Sequence, residues 1–219
     1  MDDRTIHRFI GSLVACFTHE MQNHLATIHE AAGLLEDMVG GGKPIDPKKL
    51  MRLSGMTMRH VRSALGLIRY LNRCAHRLDQ EISNFSVNDV LEELLALTDR
   101  QYRQSMIEVR TRYYAGLPEV RSSSVHLQSL LYCVLEAVLH SLSEEGTVTI
   151  STHPSDGAVR IVIAVTGSLR EGLSEPAVTD DSAVCVLATV LGVTVTATPD
   201  RKTVSLEVPS VGGLSRGTT

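Results

Sequence analysis

A chain of 219 residues is longer than one small domain needs and long enough for two modest cores. Its 43% apolar and 21% charged residues are ordinary for a soluble globular protein, and a net charge of −4 leaves no polyanion footprint, so nucleic acid is not an expected partner. No apolar run reaches ~18 residues and the start, MDDRTIHRF, is acidic and polar, so neither a membrane span nor a signal peptide is expected.

The first forty residues read as one long helix. Ile6, Ile10, Leu13, Phe17, Met21, Ile28, Leu35 and Met38 recur at helical steps and form a stripe along one face. Gly40-Gly41-Gly42 ends it. Asp46 is a good N-cap and Pro47 suits a first helical position. A second helix then runs to about His76, with a stripe through Leu50, Leu53, Ala64 and Leu71. Two long helices joined by a short Gly/Pro loop make an antiparallel hairpin over residues 1–78. One hairpin leaves much of its apolar surface uncovered, and pairing two into a four-helix bundle covers it, so a homodimer is expected.

Residues 77–85 read as a polar connector. Residues 86–104 read as a helix capped by Ser86 with Asp89 three positions on. A strand follows at 107–113, then an apolar helix at 125–142. Strands are expected at 147–152 and 159–166, with a turn at 154–157. A loop at 168–179 leads to a short helix at 180–191, ended by Gly192. Residues 193–198 and 203–208 form a hairpin around Pro199-Asp200. The fold class is therefore α+β: a helical hairpin followed by an α/β sandwich over 85–208, with helices on one face of a mixed sheet. The tail from 209 to 219 reads as disordered. Cys16, Cys74, Cys133 and Cys185 are far apart, show no metal-ligand spacing and read as reduced buried thiols of a cytoplasmic protein.

The stretch Thr18-His19-Glu20-Met21-Gln22-Asn23-His24-Leu25-Ala26-Thr27-Ile28 carries the chemistry. At about 100° per residue, His19 lies roughly 160° from the centre of the stripe and faces water. Asn23, four residues on, shares that face, and Glu20 is adjacent. An imidazole that is neutral near pH 7 can act as a nucleophile, and a neighbouring carboxylate can hold the proton of its other ring nitrogen. Geometry alone does not choose His19 among nine histidines. Small neighbours on the helix surface, Ala15, Cys16 and Ala26, are expected to admit a partner helix, and Arg8, Arg62 and Arg69 are candidates for docking an acidic partner.

The same stretch resembles the H-box of two-component histidine kinases, S/T-H-E-x-x-N/T-P-L-x-x-I. His19, Glu20, Asn23, Leu25 and Ile28 match, and His24 replaces the usual Pro. The resemblance implies that His19 accepts a phosphoryl group, that Glu20 orients or exchanges its proton, and that Asn23 stands where kinases align a water. Residues 85–208 are similar in element order to the ATP-binding domain of these kinases, the GHKL or Bergerat fold, but depart from its motifs. Where the family has N-x-x-x-N for Mg²⁺, this chain has Cys133 and Ala137. Where it has D-x-G-x-G, this chain has Val165-Thr166-Gly167-Ser168-Leu169. No G-x-G precedes the helix after residues 170–181.

An intact phosphoacceptor beside a degenerate ATPase-like domain resembles the dimeric histidine phosphotransferases of bacterial phosphorelays. That implies a response-regulator receiver domain as partner, no cofactor bound by this chain, and Mg²⁺ supplied by the receiver's acidic pocket. Two other readings stand beside it: a divergent kinase that phosphorylates His19 from ATP, and a non-catalytic dimeric scaffold.

Overall fold

The computed structural model describes residues 3–42, 44–142, 145–169 and 178–211. Helix α1 (Asp3–Gly40) and helix α2 (Pro47–Leu78) form the expected hairpin. Gly42 takes a φ of 62°, a left-handed conformation that suits glycine and ends the helical run. Asp46 caps α2 by accepting from the Lys48 amide at 2.9 Å, with Pro47 in the first turn. Leu13 and Ala31 of α1 are buried, as are Leu53, Ala64 and Cys74 of α2.

A second apolar row on the hairpin remains uncovered. Met51, Met58 and Leu65 are exposed at intervals of seven residues along α2, and Val14, Leu25 and Val39 are exposed on α1. Met21, Ile28 and Leu35 of the sequence stripe fall at heptad positions with Val14 and are only half-buried. A seven-residue apolar period on two neighbouring helices is the pattern of a helix-packing seam.

The rest of the chain is an α/β sandwich. Strand β1 (Ser83–Phe85) precedes helix α3 (Val87–Gln104), strand β2 (Ile107–Arg112), strand β3 (Val120–Ser122) and helix α4 (Ser124–Ser141). Strands β4 (Gly146–Ser155) and β5 (Ala158–Thr166), helix α5 (Ser182–Leu191), and strands β6 (Thr194–Ala197) and β7 (Thr203–Pro209) complete it. The main sheet has the order β2-β4-β5-β7-β6, with β2 parallel to β4 and the other pairs antiparallel. Alternate residues of β4, β5 and β7, among them Ile150, Ile161, Ile163 and Leu206, are buried. They share a core with Leu91 and Leu94 of α3, Leu130 and Leu131 of α4, and Val184 and Leu187 of α5. Each such aliphatic side chain contributes about 1.5–3 kcal/mol by leaving water. Ser86 caps α3 through the Asp89 amide at 3.4 Å, and Asp181 caps α5 through the amides of Ala183 and Val184.

Several expectations need correction. The connector at 77–85 ends in a strand: β1 pairs antiparallel with β3, joining Phe85 to Val120. Three-residue strands offer too little alternation to be read from sequence. Cys16 is buried, so it is not part of a small-residue surface beside His19, and Cys185 is exposed rather than buried. Of the tail, Pro209 closes β7, and the Ser210 and Val211 amides are bonded to the carbonyls of Gly157 and Glu119. Residues 212–219 lie outside the described residues, as do 170–177 of the loop.

The hairpin and the sandwich share apolar core. Phe9 and Leu13 of α1 and Cys74 of α2 belong to the same buried cluster as α3 and α4, and the Phe9 ring lies 5.4 Å from that of Tyr132. A polar clasp sits beside this contact. Glu93 of α3 is fully buried and accepts from Arg77 of α2 at 3.0 Å and from Gln128 of α4 at 3.3 Å. Burial raises the Glu93 pKa, and Arg77 and Arg73 pull it back down.

Candidate functional site

Helix α1 presents His19, Glu20 and Asn23 one turn apart, and the three side chains touch. The Asn23 amide nitrogen lies 3.1 Å from His19 Nδ1 and donates to Glu20 Oε1 at 3.4 Å. Glu20 Oε1 is 4.0 Å from the same ring nitrogen. The His19 side chain is 41% exposed, because Asn23 and Glu20 cover its Nδ1 edge. With the Asn23 amide donating, Nδ1 is the acceptor and Nε2 carries the proton. In the other tautomer, with the proton on Nδ1, the nearest carboxylate oxygen is Glu20 Oε1 at 4.0 Å.

Sequence reasoning missed the fourth member. Arg103, at the end of α3, donates through Nη2 to Glu20 Oε2 at 2.7 Å, and its Nε bonds Asp99 at 2.7 Å. These contacts, led by the Glu20 hydrogen bond, raise the Arg103 pKa further. Arg103 is 83 positions from Glu20 in the chain, and no local pattern could have joined them.

His24, at the family's proline position, meets His60 of α2, with their Nδ1 atoms 3.0 Å apart and their rings in an edge-on arrangement. Two nitrogens at that distance accommodate one proton between them and not two. Burial first, then His60, lowers the His24 pKa; Arg103 adds to this and Glu20 opposes it. Above pH ~6.5 the ring is neutral in the folded and unfolded chain alike. As the pH falls below that value, the unfolded chain binds a proton that the native site resists, so stability falls toward acid. A His24→Asn variant should therefore lose less thermal stability than wild type between about pH 7.5 and 5. The residual loss would come in part from His126, whose pKa burial also lowers. Melting curves at both pH values check this, and equal losses in the two proteins would refute it.

The second candidate region lies on α4. Cys133, Glu136 and Ala137 line a cavity of about 400 Å³, together with Arg8, Phe9 and Asp181. Glu136 is engaged by Arg8 Nη2, at 3.1 Å to each of its oxygens. Arg8 is thus paired within the chain while its side chain stays 71% exposed. Arg62 and Arg69 are exposed on α2. Val165 is buried in β5, so no acidic side chain stands at that position. Gly167 does occupy a conformation favouring glycine: its φ is 146°, and an added Cβ would approach the Glu145 carbonyl oxygen to 3.3 Å. Among the described residues no three His, Cys, Asp or Glu side chains converge as a metal-ligand set, and no helix is long and apolar enough to cross a membrane.

No family model matches the sequence, and no curated protein does. Solved structures do. The catalytic domain of the histidine kinase ThkA matches over 60% of this chain and 97% of its own, at 15% identity and a TM-score of 0.50. The Acinetobacter baumannii histidine kinase AdeS matches over 88% of this chain and 98% of its own, at 14% identity and a TM-score of 0.49. A structure described as a bacterial phosphotransferase matches over 90% of this chain and 93% of its own, at 16% identity and a TM-score of 0.46. The chain has the α+β fold of a histidine kinase core. At these identities the likeness defines the fold alone.

Proposed function

We propose that this chain is a histidine phosphotransfer protein of a phosphorelay, cytoplasmic and homodimeric, that passes phosphoryl groups between receiver-domain aspartates through His19. The contact of His19 with Asn23 and Glu20 on an accessible helix face carries this reading. In the transfer step, Nε2 of His19 attacks the phosphorus of an aspartyl phosphate held by the receiver. The N–P bond forms as the P–O bond to aspartate breaks, and the carboxylate leaves with that bond's electron pair. Attack requires the Nε2 lone pair, so it proceeds from the tautomer protonated on Nδ1, which gives up acceptance from Asn23 and leaves Glu20 to balance the developing positive charge. Transfer to a second receiver reverses these bonds. Mg²⁺, held by the receiver, offsets phosphoryl charge in both directions.

The degenerate wall on α4 supports a protein rather than a nucleotide as donor. A thiol and a methyl group stand where a hard cation needs oxygen ligands. Glu136 is engaged by Arg8, and Asp181 caps α5. This donor set does not fit a Mg²⁺-nucleotide. The uncovered row through Met51, Met58 and Leu65 supports a second copy as the hairpin's partner.

A second reading, a divergent kinase using ATP, draws on the likeness to the ThkA catalytic domain. One experiment separates the two. The protein is mixed either with labelled, phosphorylated receiver domains or with labelled Mg²⁺-ATP, and acid-labile label is followed. Label from receivers but not from ATP is the expected outcome. Saturable ATP binding with label on His19 would replace the relay reading with the kinase one. Receiver binding without label from either source would leave a scaffold.

A further inference from the structure

Resting on that reading, we infer that Arg103, supplied by the ATPase-like sandwich, is a positioning residue for the phosphotransfer site on the hairpin. Its guanidinium is pinned at two edges. Nε bonds Asp99 on its own helix at 2.7 Å, which sets the direction of the fork, and Nη2 then meets Glu20 Oε2 at 2.7 Å. A charge-assisted contact of this length is among the stronger side-chain hydrogen bonds. Glu20 is held with its other oxygen facing His19 Nδ1, and its side chain is only 12% exposed although it sits on a surface helix.

The electrostatics fit a positioning role. Glu20, Arg103 and Asp99 together carry one net negative charge. Arg103 therefore fixes the direction of the Glu20 carboxylate while Asp99 fixes the direction of Arg103. Without the guanidinium, a glutamate on this face would exchange among solvated rotamers, and the alignment of carboxylate, ring and phosphorus would be lost part of the time. The sandwich thus contributes a working part to the site, through the end of α3, without binding a nucleotide.

The test is single-turnover transfer from a phosphorylated receiver over a range of receiver concentrations. Arg103→Gln should lower the maximal rate about 10-fold and leave the half-saturating concentration unchanged, and Arg103→Lys should recover part of the rate. In a Glu20→Gln background, Arg103→Gln should have no further effect, because it acts through Glu20. Independent, multiplying losses would overturn the inference, as would a change confined to the half-saturating concentration, which would make Arg103 a docking contact. Phosphoramidate, a small donor that needs no receiver, separates this from the relay reading. Slower labelling of Arg103→Gln than of wild type supports positioning even if no receiver transfers. Equal labelling rates, or no labelling of wild-type His19, would overturn it.

Discussion

Replacing His19 by alanine is expected to lower receiver-dependent phosphoryl transfer by at least about 10³-fold while leaving the fold intact. No neighbouring group can take over. His24 is half-buried against His60, with its Nδ1 facing another ring nitrogen. Glu20 is held by Arg103, and a carboxylate would form a mixed anhydride of different lability. The structural effect should be small, within about 0.5 kcal/mol, because alanine favours helix and the His19 side chain is 41% exposed. Acid-labile label and a urea titration on the same preparation check both halves. Undiminished transfer in His19→Ala would move the phosphoacceptor elsewhere and remove the basis of the proposed function.

The largest stability effect is expected at Phe9. Its side chain is 1% exposed, packs on Tyr132 and joins the core of the sandwich although it belongs to the hairpin. Truncation to alanine should cost about 3–5 kcal/mol, from lost burial and the cavity left behind. That is a large share of the roughly 5–15 kcal/mol that holds a typical domain together. Glu36→Ala, on the same helix at an exposed polar position, should by contrast cost under about 0.5 kcal/mol. The difference in urea midpoints measures this directly. Equal midpoints would mean that the α1 contact with α4 does not hold the two parts together. The same truncation should loosen Arg8 from Glu136, since Arg8 is one residue away on that turn.

The sequence alone made Phe9 hard to place. The stripe through Ile6, Ile10, Leu13 and Phe17 was legible, yet Phe9 lies beside it and packs on Tyr132 of α4. A helical period tells which residues share a face, but not that one turn of a helix meets two neighbours. The same limit applied to Arg8, legible only as a surface cation, and to the short pair β1 and β3, whose partners are 35 or more positions apart.

What the sequence determined by itself was local. His19, Glu20 and Asn23 were legible through their resemblance to the H-box, and the Asp46 and Ser86 caps because each bonds an amide two or three residues away. The β-branched stretches expected as strands at 147–152, 159–166 and 203–208 are β4, β5 and β7. Tertiary structure alone decided that Arg103 meets Glu20, that His24 meets His60 and that Arg8 closes on Glu136. Such pairings arise where separate elements pack, and nothing in the spacing of residues along the chain encodes which long polar side chains will then be neighbours.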